Sequence, residues 1–282
     1  MARNRTRRTQ GRIAMAAAAV GVAGAAALVS ISTPWAGQES TAAAGRESTA
    51  EAAPPPKPKK AVSATPIPGQ TSTPDPQLPA PRVSMDLAHA SDQGEHAVNI
   101  TIDDGPDPVW TPQILQVLKE NGVKAVFCMI GPQAAAHPEL VQQIVAAGHR
   151  LCNHAVSHDT TMDKQSRAYQ SQQILDAEKM ITAASGGVKP LYYRAPGGAF
   201  TPYSRQLAAA HSMRPLGWNV DSKDFELPGT AKMITTVKRE LSNGQTLLFH
   251  DGGGDRSQTV AALRELLPWL KQKGYAFGFP VR

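Results

Sequence analysis

The sequence predicts an α/β fold in which a parallel sheet is covered by helices. From residue 96 onward, short apolar runs rich in Val, Ile, Leu and aromatic residues alternate with longer runs that carry apolar residues at helical spacing. Glycine, a common helix stop, follows most of the longer runs. Strands that alternate with helices in this way usually lie parallel, because each helix returns the chain to the start of the next strand.

Seven strands and six helices account for this region. The short apolar runs predict strands over 96–102, 124–130, 149–153, 190–194, 214–220, 245–250 and 275–279. The longer runs predict helices over 111–122, 138–148, 163–187, 201–211, 230–244 and 256–274. The fourth helix opens with Thr201-Pro202, a favourable pair for a helix start. This array fits either a doubly wound sheet or a barrel somewhat smaller than the usual eightfold one.

The chain before this region predicts an export segment followed by a linker. Residues 1–32 begin with a basic stretch and continue as an uncharged, alanine-rich run, which indicates a signal peptide or a membrane anchor. Residues 33–84 are rich in Ala, Pro, Ser and Thr and read as a disordered linker, because they hold too few large apolar residues to form a core. The folded domain is therefore predicted over 85–282, secreted or anchored to the outer face of the membrane.

The charge distribution argues against nucleic-acid binding. The formal net charge is +6, but basic and acidic side chains are equal in number from residue 85 onward. The excess of positive charge therefore belongs to the export segment and the linker. A nucleic-acid-binding domain would carry a basic face on its folded part.

The two cysteines, Cys128 and Cys152, fall in predicted neighbouring strands. Export to an oxidising compartment favours a disulfide. Bridging two neighbouring parallel strands is geometrically awkward, however, so we expect two buried thiols.

Polar side chains follow nearly every predicted strand. In parallel α/β folds the carboxyl ends of the strands share one rim, and catalytic groups collect there. The residues that would meet at this rim are Asp103, Asp104, His154, His158, Arg194, Asp221, Asp224, His250 and Asp251.

Three of these residues predict a metal site. His154 and His158 are four positions apart, so a helical turn would aim both imidazoles in one direction. Asp104 would join them from the neighbouring strand end. Two histidines and one carboxylate leave a coordination position free for water, as catalytic zinc sites do. A bound cation would also explain why two carboxylates, Asp103 and Asp104, stand side by side.

The remaining polar residues supply acid–base chemistry. Asp103, free beside the metal, is a candidate general base, and Arg194 could keep it ionised. His250 is the candidate general acid, and Asp224 could hold it protonated. The backbone N–H of Gly197 could stabilise an oxyanion, although a glycine there could equally serve a turn.

Five motifs in this order resemble the polysaccharide deacetylases of carbohydrate esterase family four, also called the NodB-homology domain. They read TIDDGP, HAVSH, RAPGG, DSKDF and LFH, and the resemblance covers about residues 96–279. It implies a distorted (β/α)₇ barrel and one bound divalent metal ion. Zinc is the expected ion, and cobalt or another divalent ion is the alternative. The implied metal ligands are Asp104, His154 and His158.

The resemblance also implies roles for the other residues. The catalytic machinery would comprise Asp103 as base and His250 as acid, supported by Arg194 and Asp224. The substrate would meet Gly197, Leu248, Trp218 and Phe225, with Leu248 lining the acetyl pocket.

Four positions depart from the family pattern. Ile102 stands for phenylalanine, Gly197 for a common tyrosine and Phe225 for tryptophan. These changes put the substrate preference in doubt rather than the chemistry. Ala155 replaces a hydroxyl residue that braces the metal loop, and we expect a lower metal affinity from it.

These inferences predict a metal-dependent hydrolase that releases acetate from N-acetylglucosamine units of an extracellular polysaccharide. Peptidoglycan is the preferred substrate because the export segment and the linker suggest a position near the membrane. Chitooligosaccharide is the second choice. An acetylxylan-type O-acetyl esterase or a catalytically weak glycan-binding module remains an alternative. A phosphotransferase with an aspartyl nucleophile is disfavoured because it would need carboxylates two positions apart, whereas Asp103 and Asp104 are adjacent. We expect a monomer whose partners are the glycan and, through an uncleaved N-terminal segment, the membrane.

Overall fold

The computed structural model describes residues 78–282. The strands of this part are β1 (Ala97–Asp103), β2 (Ala125–Met129), β3 (Arg150–Asn153), β4 (Tyr192–Tyr193), β5 (Arg214–Pro215), β6 (Val220–Asp221), β7 (Thr246–His250) and β8 (Ala276–Phe277). Its α-helices are α1 (Trp110–Glu120), α2 (Gly131–Ala136), α3 (Pro138–Ala146), α4 (Arg167–Ala184), α5 (Pro202–Ala210), α6 (Thr230–Glu240) and α7 (Ser257–Gln272).

All paired strands run parallel, in the order β5-β4-β3-β2-β1-β7-β6, and β8 adds to the start of β1. Every residue of the central strand β1 is buried, as expected for a strand covered on both faces. The register places Asp103, the last residue of β1, opposite Cys128 on one side and His250 on the other. The predicted parallel α/β fold of the distorted (β/α)₇ type is confirmed.

The single strand predicted over 214–220 is two short strands in the structure. Arg214–Pro215 pairs with β4, whereas Val220–Asp221 pairs with β7 at the other end of the sheet. The chain bends between them and so exchanges one partner strand for another. Only four residues, 216–219, thus connect the two edge strands, β5 and β6. This short connection keeps the two edges close together and curves the sheet towards a barrel.

The main apolar core lies between the sheet and six of the helices, with smaller contributions from α2 and α4. Side chains from β1, β2 and β7 pack there against α1, α3, α6 and α7. Ile102 is fully buried in this cluster, so its replacement of the family's phenylalanine changes core packing. A second, smaller cluster lies under α4 and α5 and includes Ala155 and Met162.

Cys128 and Cys152 form a disulfide, so the expectation of two buried thiols is wrong. The register of β2 and β3 pairs these two residues directly, and their Cα atoms lie 4.1 Å apart. Direct pairing places both side chains on the same face of the sheet. The sequence could not reveal this, because it does not give the register of two parallel strands.

The helix boundaries follow local capping. Thr201 and Ser204 form a capping box at the start of α5, where the sequence predicted a helix start. The helix predicted over 163–187 begins only at Arg167, because Ser166 accepts a hydrogen bond from the Tyr169 N–H and caps it. Helix α2 was not predicted. No helix within residues 78–282 is long and apolar enough to cross a membrane. The export segment 1–32 and most of the predicted linker lie outside the described residues.

Candidate active site

The carboxyl ends of the strands surround one cavity of about 870 Å³. Almost all of the predicted site residues line it, namely Asp103, Asp104, His154, His158, Arg194, Gly197, Trp218, Phe225, Leu248 and His250. Asp224 is fully buried and contacts His250. The structure therefore brings every predicted site residue together at one rim. Their chemical roles remain predictions.

Asp104, His154 and His158 form a cluster that fits a divalent metal ion. One ligand atom from each residue lies within 4.8 Å of the others. Asp104 Oδ1 is 3.4 Å from His154 Nε2 and 3.2 Å from His158 Nε2. This oxygen is buried and has no hydrogen-bond partner among the described residues, although buried polar atoms nearly always have one. A cation between the three side chains would satisfy it.

His154 is prepared to act as a neutral ligand. Its Nδ1 lies 2.8 Å from the Arg194 carbonyl oxygen, so Nδ1 carries the proton and the lone pair of Nε2 faces Asp104. Burial lowers the pKa of His154 to about 3, although the nearby Asp104 opposes this shift. The approach of His154 to Asp104 is therefore a ligand geometry rather than an ion pair between charged groups.

The backbone around the metal cluster is strained. Asp104, Ala155 and His158 have φ values of 79°, 64° and 51°, in the left-handed region that non-glycine residues rarely adopt. Such strain persists only where the surrounding structure enforces it, and it gathers at functional sites.

The loop that carries His158 is braced by residues that the sequence analysis missed. Gln173 Oε1 accepts hydrogen bonds from the backbone N–H groups of Val156 and Ser157 and from the Ser157 hydroxyl. Asn153 Oδ1 accepts from the Ala155 N–H. These contacts supply the bracing that Ala155, lacking a hydroxyl, cannot give. Gln173 carried no signal in the sequence, since it is one of several polar residues along α4.

Asp103 is held by a buried arginine. Arg194 Nη1 donates to Asp103 Oδ1 at 2.7 Å, and neither side chain is exposed to more than a few per cent. Burial raises the pKa of Asp103, and the charge and hydrogen bond of Arg194 oppose that shift. The two adjacent carboxylates thus differ in their main partners. Asp103 Oδ1 faces the guanidinium and its Oδ2 lies 3.6 Å from His154 Nε2, whereas Asp104 Oδ1 faces both histidines.

His250 is held protonated by Asp224. His250 Nδ1 lies 2.6 Å from Asp224 Oδ1. Asp224 Oδ2 accepts hydrogen bonds from the backbone N–H of His250 and from the Thr259 hydroxyl. Burial alone would lower the pKa of His250, but its hydrogen bond to Asp224 and the Asp224 charge raise it to about 9. A histidine in this state can donate a proton at neutral pH.

Two further polar groups support the site: Asp251, which was predicted only to lie at the rim, and Arg256, which was not predicted. Asp251 is fully buried and accepts a 2.5 Å hydrogen bond from Thr111, which in turn accepts from the Asp107 N–H. Its carboxylate lies where a Cβ on Gly105 would be, so only glycine fits in the turn after Asp104. Burial raises the pKa of Asp251 to about 7. Asp107 Oδ1 accepts hydrogen bonds from the backbone N–H groups of Val109 and Trp110 at the start of α1.

Arg256 is the second of these groups. It is 3% exposed and donates to the carbonyl oxygens of Gly252 and Gly253 at 2.7 and 3.0 Å. These contacts hold the glycine-rich loop against Asp104, where a Cβ on Gly252 would collide with the Asp104 backbone.

The residues predicted to contact the substrate line the cavity. Phe225 is 45% exposed, and its ring lies 5.6 Å from the His250 ring in an edge-on arrangement. Gly197 has a φ of 59°, and a side chain there would crowd Thr160, so this loop favours glycine over the family's tyrosine. Leu248 and Trp218 line the interior. Phe225 thus presents an exposed aromatic ring beside the predicted acid.

Comparison with known proteins gives a consistent set of relatives. A polysaccharide deacetylase family profile matches residues 90–216. A peptidoglycan-N-acetylglucosamine deacetylase from Bacillus cereus is 36% identical over 185 residues, which cover 65% of this chain and 85% of the relative. A chitooligosaccharide deacetylase from Bradyrhizobium is 34% identical over 193 residues, which cover 64% of this chain and 88% of the relative.

Solved structures show the same fold. A peptidoglycan N-acetylglucosamine deacetylase matches with a TM-score of 0.63 and 29% identity, covering 68% of this chain and 89% of that one. A pseudoenzyme of carbohydrate esterase family four from Bacillus anthracis matches with a TM-score of 0.64 and 26% identity, covering 70% of this chain and 68% of that one. A mutant of that protein with restored enzymatic activity matches equally well, at 0.64.

Proposed function

This chain belongs to the polysaccharide deacetylase family, and on that premise we propose that it removes N-acetyl groups from N-acetylglucosamine units of peptidoglycan. One observation carries the proposal. A carboxylate held by Arg194 and a protonated histidine held by Asp224 flank the Asp104–His154–His158 cluster in a single cavity. Chitooligosaccharide is the second candidate substrate. We further propose zinc as the ion and a secreted or membrane-anchored location, which rest on the donor set and on the composition of residues 1–84.

The ion would be held by Asp104, His154 and His158, and the chemistry that it supplies when bound is Lewis-acid activation of the carbonyl and of water. Asp103 accepts the proton of the attacking water, and Arg194 keeps its carboxylate ionised and aimed. The N–H of Gly197 helps to hold the charge that develops on the carbonyl oxygen.

His250 then gives its proton to the leaving amine, so that the products are acetate and a glucosamine unit. An amide needs this step more than an ester does, because an amine leaves only when protonated. The raised pKa of His250 therefore favours N-deacetylation over the alternative O-deacetylation of xylan. Leu248 lies two positions before His250 on the same face of β7 and would contact the acetyl methyl.

A catalytically weak glycan-binding role is the second candidate function. The observation in its favour is the similarity to a pseudoenzyme. The predicted ligands, base and acid are all present here. Gln173 and Asn153 brace the metal loop despite Ala155. These observations favour an active enzyme.

Acetate release by the zinc-loaded full chain tests the proposal. Peptidoglycan, chitin oligomers and acetylated xylan serve as substrates, with Asp103→Asn as the matched variant. We expect release from peptidoglycan and a loss of at least about 100-fold in Asp103→Asn, because the proton acceptor is removed while the shape is kept. Zinc binding without acetate release from any of the three glycans would contradict the proposal and favour the binding role.

A further inference from the structure

A short N-terminal segment, residues 86–89, forms hydrogen bonds to β5 and to β7, which lie near opposite edges of the sheet. We call this segment the strap. The Ala88 N–H donates to the Pro215 carbonyl at 2.8 Å, and the Ala88 carbonyl accepts from the Gly217 N–H at 3.1 Å. On the other side, the His89 carbonyl accepts from the Thr246 hydroxyl at 2.6 Å. The strap thus bonds to both strands, and it lies before the residues that the family profile matches.

The His89 ring packs directly on Gly217. A Cβ on Gly217 would overlap with His89 Nε2, so the ring occupies the space of a side chain at that position. Burial and the charge of Arg194 lower the pKa of His89, which leaves its ring neutral and able to lie near a guanidinium without repulsion. The position of the Gly217 backbone is therefore set from the strap side by a hydrogen bond and a ring contact.

The same backbone holds Arg194 from its other side. The Gly217 carbonyl accepts from Arg194 Nη2 at 2.9 Å, and the Leu216 carbonyl accepts from Nε at 3.3 Å. The opposite end of the guanidinium, Nη1, donates to Asp103 and to Thr101. Arg194 therefore spans the distance from the backbone at 216–217 to the predicted base.

We propose that the strap is a positioning element for the base, acting through Gly217 and Arg194 on Asp103. Because two of the hydrogen bonds that orient the guanidinium end on carbonyls packed against the strap, a displaced strap would turn the guanidinium away from Asp103. The orientation of the base thus depends on residues outside the segment matched to the family. This inference rests on the role of Asp103 in the proposed function.

Three variants of the full chain test the proposal. Gly217→Ala places a methyl group where the His89 ring lies, His89→Ala removes that ring, and the double variant combines the two. Gly217→Ala should lower kcat about tenfold and leave KM within about twofold, since a small misplacement of a catalytic group is costly. The double variant should recover to within about threefold of the wild type, because the methyl group then has room. His96→Ala, which removes an exposed histidine whose ring stacks on Tyr275 instead, should leave kcat unchanged.

A second measurement reports on Arg194 without any catalysis. The Arg194 Nε–H resonance, assigned by its loss in Arg194→Lys, should exchange slowly with solvent in the wild type because the group is buried and hydrogen-bonded. Gly217→Ala should speed this exchange at least about tenfold, and the double variant should slow it again.

The possible outcomes distinguish a failure of the strap inference from a failure of the proposed function. An unchanged kcat and exchange rate in Gly217→Ala would overturn the inference, as would a loss that the double variant does not relieve. Zinc affinity that falls in step with kcat would also overturn it, because the effect would then run through His154. A wild type that releases no acetate refutes the proposed function alone, since the exchange rates still decide for or against the strap.

Discussion

At the scale of single residues, neighbouring charges decide how burial changes the pKa of the predicted base and of the predicted acid. Arg194 opposes the rise in the pKa of Asp103 that burial causes, whereas Asp224 reverses the fall that burial would cause in the pKa of His250. For His154, burial outweighs the opposing charge of Asp104 and leaves the ring neutral. A base, an acid and a neutral ligand thus arise within one cavity from three different balances between burial and neighbouring charge.

The pH dependence of activity follows from the pair His250 and Asp224. A general acid must be protonated, so the alkaline limb of the kcat/KM profile should fall as pH rises through about 9. Asp224→Asn removes the charge and leaves the burial, so the His250 pKa should drop. The falling limb should then move to lower pH by at least about one unit. A pH–rate profile of both proteins measures this.

The exposed Asp255→Asn serves as the control for that profile, because it removes a nearby acid that does not contact His250. An unmoved falling limb in Asp224→Asn would show that His250 is not the proton donor.

At the scale of elements, the ends of two strands position the predicted metal ligands, and a helix holds the loop that connects the two histidines. Asp104 follows β1, and the two histidines follow β3. Gln173, near the middle of α4, accepts three hydrogen bonds from the loop at Val156 and Ser157. The positive φ of His158 is thus maintained by a contact from a helix rather than by the sequence of the loop itself.

Removing this contact should weaken metal binding. Gln173→Ala leaves three donors of the loop without their acceptor, and we expect the zinc affinity to fall at least about tenfold. Gln173→Glu keeps the acceptor oxygen and should restore most of the affinity. Competition with a zinc chelator measures both variants. An alanine variant that binds zinc as tightly as the wild type would show that the loop holds its shape without α4.

At the scale of the whole molecule, the metal cluster joins separate parts of the sheet. Asp104 comes from β1 and the histidines from the segment after β3, with β2 between the two strands. A ligand that binds only the folded state stabilises it in proportion to the logarithm of its concentration. A bound ion should therefore stabilise the fold as a whole.

Metal removal should lower the melting temperature. Treatment with a chelator should reduce Tm by about 5–10 °C relative to protein with zinc at about 100 times its dissociation constant, and added zinc should restore it. His158→Ala, which loses a half-exposed ligand, should show little of this zinc-dependent shift. Differential scanning calorimetry measures the effect, and a zinc response that persists in full in this variant would place the ion elsewhere.

The sequence by itself determined the parallel α/β class and the identity of the residues that meet at the rim. Both follow from local patterns, since apolar periodicity marks strands and helices, and polar residues after parallel strands share one edge. The motifs around Asp103, His154, Arg194 and His250 added the family, because their order along the chain is specific.

Only the tertiary structure decided the pairings across the chain. It split the strand over 214–220 between two partners, joined Cys128 to Cys152, and brought Gln173 and the strap against the site. The reason is physical: periodicity repeats within a few residues, whereas register and contacts between distant segments depend on how whole elements pack. A glutamine on a helix or a histidine before the first strand looks like any other polar residue until that packing gives it a partner.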